Sequence, residues 1–149
     1  KWVGNPVRDV VAAIGRDYKN RLRMAVVDLE RLPGKEAHTT FECLSSQEEA
    51  CLVQCTLHTG RTHQIRVHLE SLSYPLLGDP VYRKRIPAAA SQLFLKRQAL
   101  HAFALEFVHP GTHEPMRWFA PIPDDLLELH AQVHMDAADL PKPFHEPSS

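Results

Sequence analysis

The sequence predicts an α+β fold in which a mixed or antiparallel sheet is flanked by helices. Runs rich in β-branched and aromatic residues come in pairs separated by short polar turns, which is typical of hairpins. Between and after these pairs, apolar residues recur at intervals of three and four, as on one face of a helix. The 149 residues suffice for one domain, which we assign to residues 1–140.

Strand composition begins about twenty residues into the chain. Residues 5–21 are polar, basic and weakly periodic, which favours a connector. Residues 23–28 indicate a first strand, and the Leu-Pro-Gly-Lys run at 32–35 indicates a turn. Residues 39–44 and 51–58 are again rich in β-branched and apolar residues, so we expect a hairpin between them.

A change in apolar spacing predicts a helix over residues 62–72. Three apolar side chains fall at i, i+4 and i+7 and so share one stripe: Ile65, Leu69 and Leu72. Thr62 is the expected N-cap, because its hydroxyl can accept a hydrogen bond from a free N–H of the first turn.

The C-terminal half predicts one more hairpin and one more helix. Residues 87–95 favour a loop with a short helix, and residues 101–108 and 116–119 favour paired strands. Two acidic residues at 124 and 125 suit the first turn of a last helix, where the helix dipole favours negative charge. Residues 141–149 are expected to be a disordered tail.

The net charge of −1 conceals an uneven distribution. Residues 1–35 hold eight Lys or Arg against four acidic residues, and residues 61–97 hold seven against two. Residues 98–149 hold two against eight. Two basic segments and an acidic end are compatible with one phosphate-facing side, although ordinary solvated charge explains them equally simply.

Composition narrows the cellular setting. The three cysteines, an odd number without a Cys-x-x-Cys pair, favour free thiols in a reducing compartment, and we expect the cytoplasm. No run approaches the roughly 18 apolar residues of a membrane span, so no membrane association is expected. The first residue is Lys1 rather than Met, from which we expect a piece of a longer protein.

The most informative stretch is residues 57–69, Leu-His-Thr-Gly-Arg-Thr-His-Gln-Ile-Arg-Val-His-Leu. It predicts a strand, a glycine turn and a helix start that is rich in hydrogen-bond donors. Unpaired N–H groups and a partial positive charge make such a helix start suited to phosphate. Three side chains there strengthen such an anion site: Arg61, Thr62 and His63.

Arg66 lies beside the apolar stripe and therefore needs a partner. A carboxylate suits it, because the guanidinium fork binds a carboxylate through two parallel hydrogen bonds and holds it ionised. The alternative is a surface pair with Glu70 at i+4, which is worth a few tenths of a kcal/mol. Spacing alone leaves both interpretations open.

The string Thr-Gly-Arg-Thr-His-Gln-Ile-Arg-Val-His-Leu at 59–69, followed by Pro-Leu-Leu-Gly-Asp-Pro-Val-Tyr at 75–82, resembles the third conserved motif of RluA-type RNA pseudouridine synthases. Shorter matches at 34–41, 97–102, 107–110 and 120–123 extend the resemblance over about residues 20–130. The branch that modifies large-subunit ribosomal RNA is the most similar. The resemblance therefore implies part of a pseudouridine synthase catalytic domain.

The resemblance also implies a chemistry. This family isomerises uridine in RNA, ribosomal or alternatively transfer RNA, without a cofactor. The base is flipped out of the stack, its glycosidic bond breaks, and it reattaches through carbon. The motif's arginine, which pairs with the catalytic aspartate, corresponds to Arg66, and the apolar residue that walls the base pocket corresponds to Ile65. Four neighbouring residues are then expected to line the entrance near the RNA backbone: Arg61, Thr62, His63 and Gln64.

Two family residues have no counterpart here. The catalytic aspartate belongs to a His-Arg-Leu-Asp string, and neither that string nor the family's base-stacking tyrosine occurs at a matching position. We expect both upstream of Lys1, which implies an isolated chain that is inactive and a sheet that leaves an apolar face exposed. The alternative is a non-catalytic RNA-binding module or a degenerate synthase paralogue.

Ten histidines raise the question of a metal. His130 and His134 are spaced i, i+4, and His109 and His113 lie near one another, but neither pair has a third ligand at useful spacing. The sequence therefore predicts no metal site. Asp79, in a Gly-Asp-Pro run, is expected to be a turn residue that accepts local N–H groups.

Overall fold

The computed structural model describes residues 1–84 and 95–141. Within these ranges the chain forms seven strands, two α-helices and one short 3₁₀ turn, and every strand pairing is antiparallel. The predicted α+β class is confirmed. The predictions for residues 87–95 and for the tail fall almost wholly outside the described residues.

A three-stranded sheet forms the centre of the N-terminal half. Its strands are β1 (Val7–Val11), β4 (His38–Ser46) and β5 (Cys51–Leu57), in the order β1-β4-β5. The predicted hairpin is confirmed, with Thr39 opposite Leu57 and a register shift between Cys43 and Ser45. Residues 39 and 41 point to the core, so residues 38 and 40 point to the opposite face.

The connector predicted at residues 5–21 is wrong, because β1 and β2 (Ile14–Arg16) lie within it. β1 is an edge strand of which only Val10 is buried, so its local pattern is too polar to indicate a strand. It forms because β4, about thirty residues later, supplies its hydrogen-bond partners.

A second, two-stranded ribbon joins β2 to β3 (Met24–Val26), with Ile14 opposite Val26. The predicted strand at 23–28 is confirmed with shorter bounds. Ile14 also exchanges two backbone hydrogen bonds of 2.9 Å with Lys35, so the chain after the ribbon returns along its edge.

Helix α1 (Gln64–Ser71) packs against β3 and β4 and touches two groups of buried side chains. One group lies against the three-stranded sheet: Trp2, Val10, Phe41 and Leu69. The other lies by the β2–β3 ribbon: Ile14, Ala37, Val67 and Tyr82. The predicted helix and its stripe are confirmed, since Leu69 is buried and Ile65 and Leu72 are packed against the first group.

The C-terminal hairpin consists of β6 (Ala104–Val108) and β7 (Pro115–Phe119), and α2 (Asp124–Gln132) follows it. Both predictions are confirmed, including the two aspartates in the first turn of α2. Much of the ribbon's apolar surface is in solvent: Leu105, Phe107, Val108, Trp118 and Phe119. This agrees with the expectation of an exposed apolar face.

The three cysteines are unpaired and partly buried. Burial raises the pKa of Cys51 to about 11 and that of Cys55 to about 12, so both are protonated thiols at neutral pH. Of the helices described, none combines the length and apolar character that spanning a bilayer requires.

Candidate active site around Arg66

The donor-rich loop and the start of α1 form a tight turn. The helix begins at Gln64, and His63, at a φ of 55°, takes the N-cap position in the left-handed region. The predicted N-cap, Thr62, is wrong: the helix starts two residues later, without a side-chain cap, and Thr62 is exposed. The exposed His63 ring lies with its Nδ1 2.9 Å from the Tyr82 hydroxyl.

Gln64 is buried, and both ends of its amide are used inside the protein. Its oxygen accepts the Thr59 hydroxyl at 2.8 Å and the Arg61 N–H at 2.9 Å. Its NH₂ group donates to the His38 carbonyl at 3.0 Å and to Thr39 Oγ1 at 2.9 Å. Gln64 thus holds the loop in place and is not on the surface where we predicted an RNA contact.

The network continues to the fully buried His68. Its Nε2 lies 2.9 Å from the Ala12 carbonyl, which can only accept, so Nε2 carries the proton. Its Nδ1 therefore accepts from the Thr39 hydroxyl at 2.9 Å. This chain of bonds fixes α1 against β4 and the end of β1, and so sets the position of the Arg66 backbone.

The network predicts a pH-dependent stability. Burial lowers the pKa of His68 below the usual 6.5, so the unfolded chain binds a proton that the folded chain refuses. Stability should therefore fall as pH drops through and below 6.5, by at most about 1.4 kcal/mol per pH unit for one proton. Urea unfolding in a series of buffers from about pH 5 to about pH 8 measures how the free energy of unfolding changes with pH.

His68→Gln is the matched variant, since a glutamine side chain keeps polar groups at this buried position but does not titrate. It should be less stable at neutral pH by about 1–3 kcal/mol and have a flatter pH profile. A profile as steep as that of the wild type would assign the proton to another group, of which His63 is the first candidate because burial lowers its pKa too.

Arg66 forms a two-pronged ion pair with Asp79. Its Nε donates to Oδ2 and its Nη2 donates to Oδ1, each at 2.8 Å. The Arg66 side chain is 11% exposed and the Asp79 side chain 0%. The predicted carboxylate partner is therefore present inside this chain, thirteen residues along the sequence. The alternative pair with Glu70 is wrong, because Glu70 binds Arg23 instead.

The turn that carries Asp79 explains why it reaches Arg66. Asp79 Oδ1 also accepts the backbone N–H groups of Val81 at 2.9 Å and Tyr82 at 3.1 Å, which confirms the predicted turn role. Gly78 has a φ of +75°, and a Cβ there would lie 2.1 Å from the Arg97 carbonyl oxygen. Only glycine therefore lets the 95–100 segment pass behind this turn.

Charge and hydrogen bonding keep the pair ionised. Burial alone would raise the pKa of Asp79, but the Arg66 hydrogen bonds and the two backbone N–H groups outweigh it and hold that pKa below its usual value. The same hydrogen bonds from Asp79 raise the pKa of Arg66. The guanidinium is therefore a fixed positive charge with a fixed orientation.

Tyr82 completes the surroundings of Arg66. Its ring is fully buried, and the guanidinium carbons of Arg66 and Arg23 each lie 4.8 Å from the ring centre. Its hydroxyl accepts the Met24 N–H at 3.0 Å and is hydrogen-bonded to His63 Nδ1 at 2.9 Å. Tyr82 thus couples the loop, the β2–β3 ribbon and the arginine.

The other predicted site residues lie near Arg66 but make different contacts. Arg61 is half-buried and donates from Nε to the Glu36 carbonyl at 2.8 Å, whereas Thr62 and His63 are exposed. Ile65 is packed against the first core group, on the side of α1 that faces the sheet. Arg66 is brought together with His63 through Tyr82, and with Ile65 only as a chain neighbour.

Sequence reasoning missed Tyr82 and the Asp79 pairing. The Gly-Asp-Pro run indicated a turn, but nothing local shows that this turn comes back to the helix. The sequence did indicate that Arg66 requires a carboxylate, but it did not indicate which carboxylate.

Comparisons with known proteins show what this chain is similar to. Residues 9–71 match the family model described as RNA pseudouridylate synthase. The chain is 46% identical over 123 residues to the ribosomal large subunit pseudouridine synthase D of Nitrosomonas europaea, which covers 80% of this chain and 35% of the relative. The enzyme of that name from Vibrio vulnificus is 45% identical over 134 residues, covering 85% and 40%.

A solved structure is also similar. It is titled human RNA pseudouridylate synthase domain containing 1, with a TM-score of 0.66 and 26% sequence identity, over 82% of this chain and 51% of that one. The chain spans 35% and 40% of the length of the two bacterial relatives above. The similarity therefore concerns one part of a longer family architecture.

Proposed function

Because this chain belongs to the RNA pseudouridine synthase family, of RluA type, we propose that the protein containing it isomerises uridine to pseudouridine in RNA. Large-subunit ribosomal RNA is the proposed substrate, since the similar bacterial relatives carry that substrate in their names. The cytoplasm, where ribosomal RNA is met in bacteria, is the proposed location, and the three free thiols are compatible with it.

The observation that carries this proposal is the orientation of Arg66. Two of its five N–H bonds go to Asp79, and the other three have no partner in the described part of the chain. We assign two of those three, one on Nη1 and one on Nη2, to the family's catalytic aspartate, supplied from elsewhere in the full protein. Asp79 then acts as a positioning residue that fixes the guanidinium orientation in advance. The entropy cost of ordering that side chain is therefore not added to the activation free energy of the reaction.

The other proposed roles follow from exposure. Ile65 would wall the base pocket next to Arg66. Arg61, Thr62 and His63 would contact the RNA backbone, since each is at least partly accessible at the start of α1. Gln64 is proposed to position that loop rather than to touch RNA, because its amide is satisfied inside the protein.

The test is a map of pseudouridine in total RNA from cells that lack the full-length protein. Specific sites should disappear and should return when the wild-type gene is restored. Those sites would identify the RNA class and the uridine. If no site changes while the purified protein still binds RNA, the second candidate, a non-catalytic RNA-binding paralogue, replaces the enzyme.

A further inference from the structure

Three side chains from distant parts of the sequence meet on the outer face of the three-stranded sheet. Asp9 lies in β1, His38 begins β4, and His58 directly follows β5. One ligand atom from each lies within 4.8 Å of the others. The two imidazole rings are stacked, with centres 3.9 Å apart and planes at 16°, so the two histidines lie side by side on this face.

We propose that Asp9, His38 and His58 form a binding site for a transition-metal dication of the Zn²⁺ type. Two imidazole nitrogens and one carboxylate oxygen are ligands that such an ion prefers, and Mg²⁺ and Ca²⁺ prefer sites made of oxygen alone. The proposal is independent of the isomerase chemistry, in which neither histidine takes part.

The distances are close to those that a metal requires. Tetrahedral Zn²⁺ with bonds of about 2.0–2.1 Å sets its ligand atoms about 3.3 Å apart. His38 Nε2 lies 2.8 Å from Asp9 Oδ1, and all three ligand atoms fall within 4.8 Å. Binding also requires the two rings to turn out of their stacked arrangement, so that one nitrogen of each points at the ion. Rotation about the side-chain torsions of these accessible residues provides that movement.

The backbone under the site is held by the sheet and the loop. The His38 N–H donates to Thr59 Oγ1 at 2.9 Å, and the His38 carbonyl accepts from the His58 N–H at 3.1 Å. Thr40, directly opposite Asp9, has its hydroxyl hydrogen-bonded to the Asp9 carboxylate and 2.8 Å from His58 Nε2. Thr40 thus holds the Asp9 and His58 side chains next to each other on this face.

Exposure determines the kind of site. The Asp9 side chain is 62% exposed and the His38 side chain 34%, so an ion would keep at least one water or exchangeable ligand. It would also place two positive charges beside the loop of residues 59–63, where we propose that RNA phosphates bind. An open three-ligand site of this kind could hold a phosphate oxygen as its fourth ligand.

The experiment titrates the purified full-length protein, stripped with a chelator, with Zn²⁺ by calorimetry and with Co²⁺ by visible absorption. One equivalent should bind, and the Co²⁺ spectrum should report coordination by nitrogen. Asp9→Asn and His58→Gln keep polar, similarly sized side chains and should each weaken Zn²⁺ binding at least tenfold. His113→Gln, which removes an exposed histidine from the β6–β7 turn, is the matched control and should change it less than twofold.

Nitrogen NMR of the histidine rings shows which histidines bind the ion, independently of the measured affinity. Zn²⁺ should shift the resonance of one ring nitrogen in each of His38 and His58, while Mg²⁺ at the same concentration should not. Absence of binding up to millimolar Zn²⁺ would overturn the proposal. Binding that survives Asp9→Asn and His58→Gln, with both variants folded by circular dichroism, would overturn it as well.

Discussion

Arg66→Lys in the full-length protein should reduce the rate of pseudouridine formation by at least about 100-fold, the usual size of the loss when one preorganised charged donor is removed. Lysine keeps the positive charge but cannot make two parallel hydrogen bonds to Asp79 while pointing further N–H groups at a second carboxylate. The loss should fall on kcat, because the proposed partner of the guanidinium is the catalytic aspartate and not the body of the RNA. Single-turnover assays on a target RNA fragment measure it.

The matched control is Arg31→Lys, which makes the same substitution at a side chain that is 85% exposed. It should leave the rate within about twofold of the wild type. RNA affinity of Arg66→Lys should also stay within a few fold, which separates a lost chemical step from lost binding. A normal rate in a folded Arg66→Lys protein would remove Arg66 from the catalytic group.

Asp79→Ala should destabilise the protein by about 3–5 kcal/mol, the range found when one partner of a buried ion pair is removed. The substitution leaves the largely buried Arg66 guanidinium unpaired, and it deprives the Val81 and Tyr82 N–H groups of their acceptor. Asp28→Ala, which removes an exposed partner of Arg31 and the acceptor of the Glu30 N–H, should cost only about 1 kcal/mol. Urea unfolding of each variant gives the free energies.

The Arg66–Asp79 pair also predicts how the free energy of unfolding depends on pH in acid. Because the folded pKa of Asp79 is below its usual 3.8, the contribution of the carboxylate is fully present above that value and is lost as pH falls through the folded pKa. The difference between the wild type and Asp79→Ala should therefore shrink only in strong acid. A double-mutant cycle with Arg66→Met isolates the pair, and a coupling energy near zero would contradict the assignment.

The elements that the sequence predicts well are those whose signal is local. Residues 39–57 carry enough β-branched and apolar residues to specify a hairpin, and the stripe of Ile65, Leu69 and Leu72 specifies the helix. β1 was missed because only Val10 in it is buried, so its strand state depends on β4. The helix start was misplaced because Gln64 binds the loop from inside and replaces a Thr62 cap.

The sequence by itself determined the fold class, the motif and its family resemblance, and the requirement that Arg66 find a carboxylate. Only the tertiary structure decided which carboxylate this chain supplies, that Tyr82 lies against the guanidinium, and that Asp9, His38 and His58 come together. The physical reason is the sequence separation over which each kind of interaction acts. Periodicity and turn chemistry act within a few residues, whereas ion pairs and ligand clusters depend on which strands and turns lie side by side.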